Sequence, residues 1–210
     1  MVGHSGRAVR TIGQTSARRG RAARTCSEVL DPAIWVVIAT FVVAIDAAGP
    51  ARRIWLAVLM LVLVVALPYT VLLAGVRRGR YDDRHLNQRE HRPFILAVAL
   101  MSVLAAVMLM WFLAAPRALF ALLAGMASGI ACCLGISLGW KVSLHSACAA
   151  GAIGVMAVLV SPGLLVLTPL VGLVAWSRVV LERHTIGQVV VGPVVGGLVS
   201  GGLAAVVASA

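Results

Sequence analysis

Apolar residues along this chain run in long blocks instead of alternating with polar ones. After a polar opening, seven stretches rich in Leu, Val, Ala, Ile and Gly follow. They lie at about Ala33–Ala48, Ile54–Val76, Phe94–Ala115, Ala118–Gly139, Leu144–Val160, Gly163–Trp176 and Ile186–Ser209. A helix crosses the hydrocarbon core of a bilayer in about 20 residues, with a range of about 17–25. The second, third, fourth and last stretches meet that length, and the first and fifth reach it with flanking residues. The sixth is the weakest, because it is brief and holds Pro169, although neighbouring helices can re-satisfy the backbone groups that a proline frees. The pattern predicts an all-α polytopic transmembrane bundle of six or seven spans over residues 29–210.

Composition agrees. Of the 210 residues 12% are charged and 61% hydrophobic, and a mean hydropathy of +1.01 belongs to chains integral to a membrane. The net charge of +11 therefore need not mean nucleic acid. Lys and Arg beside membrane spans orient them and meet anionic lipid headgroups, and the few aromatics are not interleaved with the basic residues as base stacking requires. Membrane lipids are the expected surroundings, and no nucleic-acid partner is expected. The four cysteines follow no metal or disulfide spacing. Cys132, Cys133 and Cys148 lie in apolar stretches, where a thiol packs as a small hydrophobe.

Residues 1–28 hold six arginines and almost no large apolar side chains. Such a segment cannot bury enough surface to fold alone, which predicts a basic, disordered, cytoplasmic tail. A signal peptide is the competing reading, but the leader is long and Asp46 blurs the cleavage signal, so the first apolar stretch is expected to stay as a span. In the last stretch Gly192 and Gly196, then Gly197 and Gly201, stand four apart. That spacing lets helices approach closely, either inside one bundle or across a homodimer.

Polar residues gather in three clusters: YDDRHLNQREHRPF at 81–94, WKVSLHSA at 140–147 and SRVVLERHTIGQ at 177–188. Each is separated from the next by two spans, a hairpin out and back, so all three lie on one face of the membrane. Ionisable groups at membrane helices are costly, which makes them the first place to search for a site. Arg92, Lys141, Arg178 and Arg183 are suited to clamping an oxyanion, Arg by its planar fork and Lys as a point charge. His145 and His184 supply a nucleophile and a proton donor for phosphate-ester cleavage. Gln188 follows His184 by one helical turn and can hold its second ring nitrogen. Each residue also has a plain reading: Arg178 and Arg183 as interface anchors, Glu182 as an i,i+4 partner of Arg178, the histidines as packing residues.

The third cluster resembles the last signature of the phosphatidic acid phosphatase type 2 family, S-R-x-x-x-x-x-H-x-x-x-D, with Ser177, Arg178 and His184 at the required spacing. The second signature, P-S-G-H, is echoed by Val142-Ser143-Leu144-His145. The first, K-x-x-x-x-x-x-R-P, is echoed by Arg92-Pro93, with His85 in the lysine place. The likeness is to small actinobacterial members and covers residues from about 77 onward. It implies that His184 attacks the phosphate to form a phosphohistidine. His145 would protonate the leaving alcohol and then activate water. Arg92, Arg178 and Ser143 would hold the phosphate oxygens, without metal or other cofactor. The substrate would be a lipid phosphate, polyprenyl or glycerolipid. The chain departs from the pattern where Gln188 replaces the aspartate that orients the nucleophile and Leu144 replaces a glycine. Lys141, one turn before His145, can stand in for the missing lysine.

Two other classes stay open. Asp82 and Asp83 near Arg92-Pro93 also suit magnesium and a prenyl diphosphate, as in an intramembrane prenyltransferase, although such an enzyme needs a second acidic cluster. An inactive lipid-binding or transport protein is the other. Charge sets the orientation. With seven spans, fifteen of the 18 Lys and Arg share the face of the three clusters, against Arg52, Arg53 and Arg117 on the other. Cytoplasmic flanks carry the positive excess, so the site is expected on the cytoplasmic face of the plasma membrane.

Overall fold

The computed structural model describes residues 5–49, 51–80 and 91–210, with side chains of the first helix described from residue 17 onward. Among them there is no strand. The helices are α1 (Ser5–Val29), α2 (Pro32–Ala47), α3 (Arg53–Leu61), α4 (Leu67–Arg77), α5 (Arg92–Phe112), α6 (Arg117–Gly139), α7 (Leu144–Leu159), α8 (Thr168–Val180), α9 (Ile186–Val194) and α10 (Gly201–Ser209). A π-helical segment, Val62–Ala66, joins α3 to α4, a second, Val195–Ser200, joins α9 to α10, and a 3₁₀ turn, Pro162–Leu167, leads into α8. Six of the resulting rods are long and apolar enough to cross a membrane: Ala17–Ala47, Arg53–Arg77, Arg92–Phe112, Arg117–Gly139, Pro162–Val180 and Ile186–Ser209. The chain is a membrane-embedded, all-α polytopic bundle.

Two expectations about the rods change. The stretch with Pro169 is not the short one. The 3₁₀ turn lengthens it, and Pro169 falls in the first turn of α8, where a proline displaces no helical hydrogen bond. The short rod is α7, which is buried at His145, Ser146, Ala147, Ala149, Gly151 and Ile153 among others. A helix wrapped by protein need not match the bilayer.

The N-terminal segment also differs from the disordered tail that its composition suggests. Residues Ser5–Val29 are helical, and the end of α1 packs on α8, burying Ala23 and Ser27 completely or nearly so. Composition argues only that such a segment cannot fold alone. Here α8 supplies the missing partner, and Ser27 accepts a hydrogen bond from the Arg178 guanidinium at 2.8 Å.

The glycines of the last rod are used inside the chain. A Cβ added at Gly192 would stand 2.7 Å from the Ser143 carbonyl oxygen, and one at Gly196 would run into the Ala147 carbonyl. These two glycines let α9 and the second π segment lie backbone to backbone against α7. That contact occupies the glycine face which the sequence also offered to a second copy.

Each π segment has a proline nearby. Pro68 has no N–H to offer the Val64 carbonyl, so the ladder shifts, and Leu67 N–H donates to Val62 five residues back. Pro193 lies inside α9, two residues before the second segment begins. Val64 and Val65 from the first segment, and Gly196 and Ser200 from the second, line one cavity.

Candidate active site

That cavity, of about 280 Å³, lies among α2, the first π segment with α4, α5, α6, α7 and the second π segment. Its walls are Val64, Leu72, Ile95, Val103, Leu122, Val155 and similar side chains. Its polar lining gathers around Asp31, Arg92, His145 and His184. The first residues of α2, α5 and α7 all border it, and helix N-termini favour an anion through their unsatisfied N–H groups and positive dipole ends.

The loop that carries His184 is built by a sharp helix end. Glu182 takes φ +54°, a left-handed conformation usually left to glycine at the residue beyond a helix. The chain folds back so that Arg183 N–H and His184 N–H both donate to the Arg178 carbonyl, at 3.0 and 3.3 Å. His184 is thereby buried, 6% exposed, just before α9 begins.

A capping box opens α9. Thr185 Oγ1 accepts from Gln188 N–H at 3.5 Å, and Gln188 Oε1 accepts from Thr185 N–H at 3.2 Å. The same Oε1 stands 3.1 Å from His184 Nδ1. Since Thr185 N–H can only donate, the amide atom facing it is the oxygen, and that oxygen can only accept. The proton of the His184–Gln188 bond therefore sits on Nδ1, and the lone pair of His184 is on Nε2. Burial pushes the His184 imidazole down from its usual 6.5 to about 3, helped by the Arg92 charge and more weakly by Arg178 and Lys141, against the Gln188 hydrogen bond, which raises it. At neutral pH His184 is an uncharged imidazole.

The three polar clusters meet through backbone bonds. Ser143 N–H donates to the Gln188 carbonyl at 3.2 Å, Arg92 Nη1 to the Val142 carbonyl at 2.8 Å, and Lys141 Nζ to the Arg183 carbonyl at 2.9 Å. Of the residues singled out in the sequence, Arg92, His145 and His184 reach the cavity wall, and Gln188 stands behind His184. Ser143 does not reach it: fully buried, it caps α7 by accepting from Ser146 N–H. Arg178 is buried with one donor on Ser27, close enough to lower the His184 pKa. Lys141 is half-buried outside the cavity lining and spans the second and third clusters. His85, Asp82 and Asp83 lie outside the described residues. Among the described residues, no group of three or more His, Cys, Asp or Glu side chains is placed to hold a metal ion.

Two contributors escaped the sequence reading. Thr185 was legible, because Thr185-Ile186-Gly187-Gln188 is a T-x-x-Q capping box. Asp31 was legible only as a helix start, the D-P pair before α2. That it faces His145, 114 positions downstream, is tertiary.

No family model, curated protein or solved structure matches this chain.

Proposed function

We propose that this protein hydrolyses lipid phosphate esters through a phosphohistidine on His184. One observation carries the reading: a neutral imidazole, its Nδ1–H fixed by Gln188, stands with Arg92 and His145 at the polar end of an apolar cavity. An unprotonated Nε2 is a nucleophile, the cations attract an anion, and the apolar wall suits an alkyl or prenyl chain.

The phosphate binds beside Arg92, with the positive charge of Arg178 and Lys141 behind it. The Nε2 lone pair of His184 forms the P–N bond while the P–O bond to the lipid breaks, and His145 gives its proton to the leaving oxygen. In the second step the oxygen of a water molecule forms a new P–O bond and a proton of that water returns to His145. The P–N bond breaks and its electron pair goes back to His184. Neither step calls for a metal. The twelve positive residues that remain on the clustered face without Arg92, Lys141 and Arg178 support a cytoplasmic site in the plasma membrane.

The test is phosphate release by purified protein from polyprenyl phosphates, phosphatidate and phosphatidylglycerophosphate, with EDTA present. Turnover that survives EDTA and is inhibited by vanadate is expected. Turnover that needs magnesium turns the reading toward a prenyl-diphosphate enzyme using Asp82 and Asp83, and inactivity on all three toward a binding protein.

A further inference from the structure

The link between α1 and α2 places a carboxylate where the phosphatase reading assigned none. Asp31 caps α2: its Oδ1 accepts from Ala33 N–H at 3.0 Å, which fixes the side chain. Its other oxygen, Oδ2, lies 3.9 Å from His145 Nε2. Asp31 is a quarter exposed and His145 nearly buried, and both face the cavity. The other titratable side chains on that wall are Tyr69, Arg92, Cys133, Cys148 and His184, so Asp31 is its one carboxylate among the described residues.

Resting on the phosphatase reading, we infer that Asp31 is the positioning residue for His145, holding the imidazolium that delivers the proton to the leaving oxygen. The distance suits the task. At 3.9 Å the carboxylate is beyond hydrogen-bond length, so it does not compete directly for the Nε2 proton, yet it is close enough to steady the positive charge. The division of labour then becomes clear. The nucleophile must stay neutral and has an amide, Gln188, behind it. The acid must arrive protonated and has the carboxylate.

The experiment uses Asp31→Asn in the full-length protein, because asparagine caps a helix as well as aspartate does and leaves the fold intact. On a lipid phosphate, whose alkoxide is a poor leaving group, kcat falls about ten- to a hundredfold with KM unchanged, while p-nitrophenyl phosphate, which needs no proton on departure, loses little. Added to His145→Ala, Asp31→Asn causes no further loss. A variant that keeps the parental kcat, or loses equally on both substrates, overturns the inference. A second readout is independent of turnover. In protein labelled with ¹⁵N-histidine, Asp31→Asn moves the ring-nitrogen signals of His145 and leaves those of His184 in place. Unmoved His145 signals in an active parent overturn Asp31 alone. A parent that releases no phosphate from any lipid overturns the phosphatase reading, and the catalytic use of Asp31 with it.

Discussion

The backbone N–H of Ser143 donates to the carbonyl of Gln188 across 3.2 Å, so the residue that caps the helix of His145 is tied to the residue that orients His184. Two loops, 42 positions apart between Ser143 and Thr185, are joined by that bond. The bond links the first turns of α7 and α9.

The Gln188 amide oxygen serves both Thr185 N–H and His184 Nδ1–H, which sets the order of a mutant series. Gln188→Ala loses the cap and the tautomer, and kcat falls about ten- to a hundredfold, as for one neutral orienting hydrogen bond plus a cap. Gln188→Glu keeps the reach and the capping box, adds negative charge behind the imidazole, and equals or exceeds the parent. Gln188→Asp is tolerated only as far as its shorter side chain still reaches. His184→Ala abolishes turnover. Steady-state kcat for the four variants checks the order, and a His184→Ala protein with a tenth of parental activity removes His184 from the nucleophile's place.

Because His184 is held near 3 against an ordinary 6.5, its protonation acts on stability with a definite sign. Between about pH 6.5 and 3 the unfolded chain takes up a proton that the folded one refuses. The stabilising contribution is thus complete above pH 6.5 and lost as pH falls toward 3. Thermal unfolding in detergent shows a steeper fall in Tm between pH 6.5 and 4 for the parent than for His184→Gln. Equal slopes in the two proteins sink the assignment.

Gly196 and Gly202 share one rod but not one environment. A Cβ at Gly196 meets the Ala147 carbonyl, whereas one at Gly202 meets nothing within 4 Å. Gly196→Ala forces the second π segment off α7, costs about 1–3 kcal/mol and lowers activity, since α7 carries His145. Gly202→Ala is neutral or slightly stabilising. Unfolding temperature and phosphate release on the two variants separate the cases.

The side of the membrane is read by labelling. A cysteine introduced as Ser5→Cys, in a protein lacking Cys26, stays unreactive toward an impermeant thiol reagent in intact cells and reacts after permeabilisation. Labelling in intact cells places the N-terminus, and the charge-rich face with it, outside.

Much of the candidate site is written in one dimension. The helix starts at Asp31-Pro32 and Thr185-x-x-Gln188, and the gathering of Arg92, His145 and His184 on one face, follow from local preference and from counting spans. Hydrocarbon leaves a spanning chain little choice but helix, so hydropathy alone carries the fold class. The i,i+4 spacing of His184 and Gln188 likewise suffices to bring them together. What spacing does not carry is direction across the bundle. Ser143 turns to cap its own helix instead of facing the cavity, Arg178 gives a donor to Ser27 of a segment that composition alone leaves unfolded, and Asp31 comes to His145 from another helix. Those outcomes depend on which helices touch, and that is decided by side-chain fit: the close approach at Gly192 and Gly196 and the docking of α1 on α8. Hydrophobicity along the chain is blind to such fit because in lipid every apolar face is equally at home.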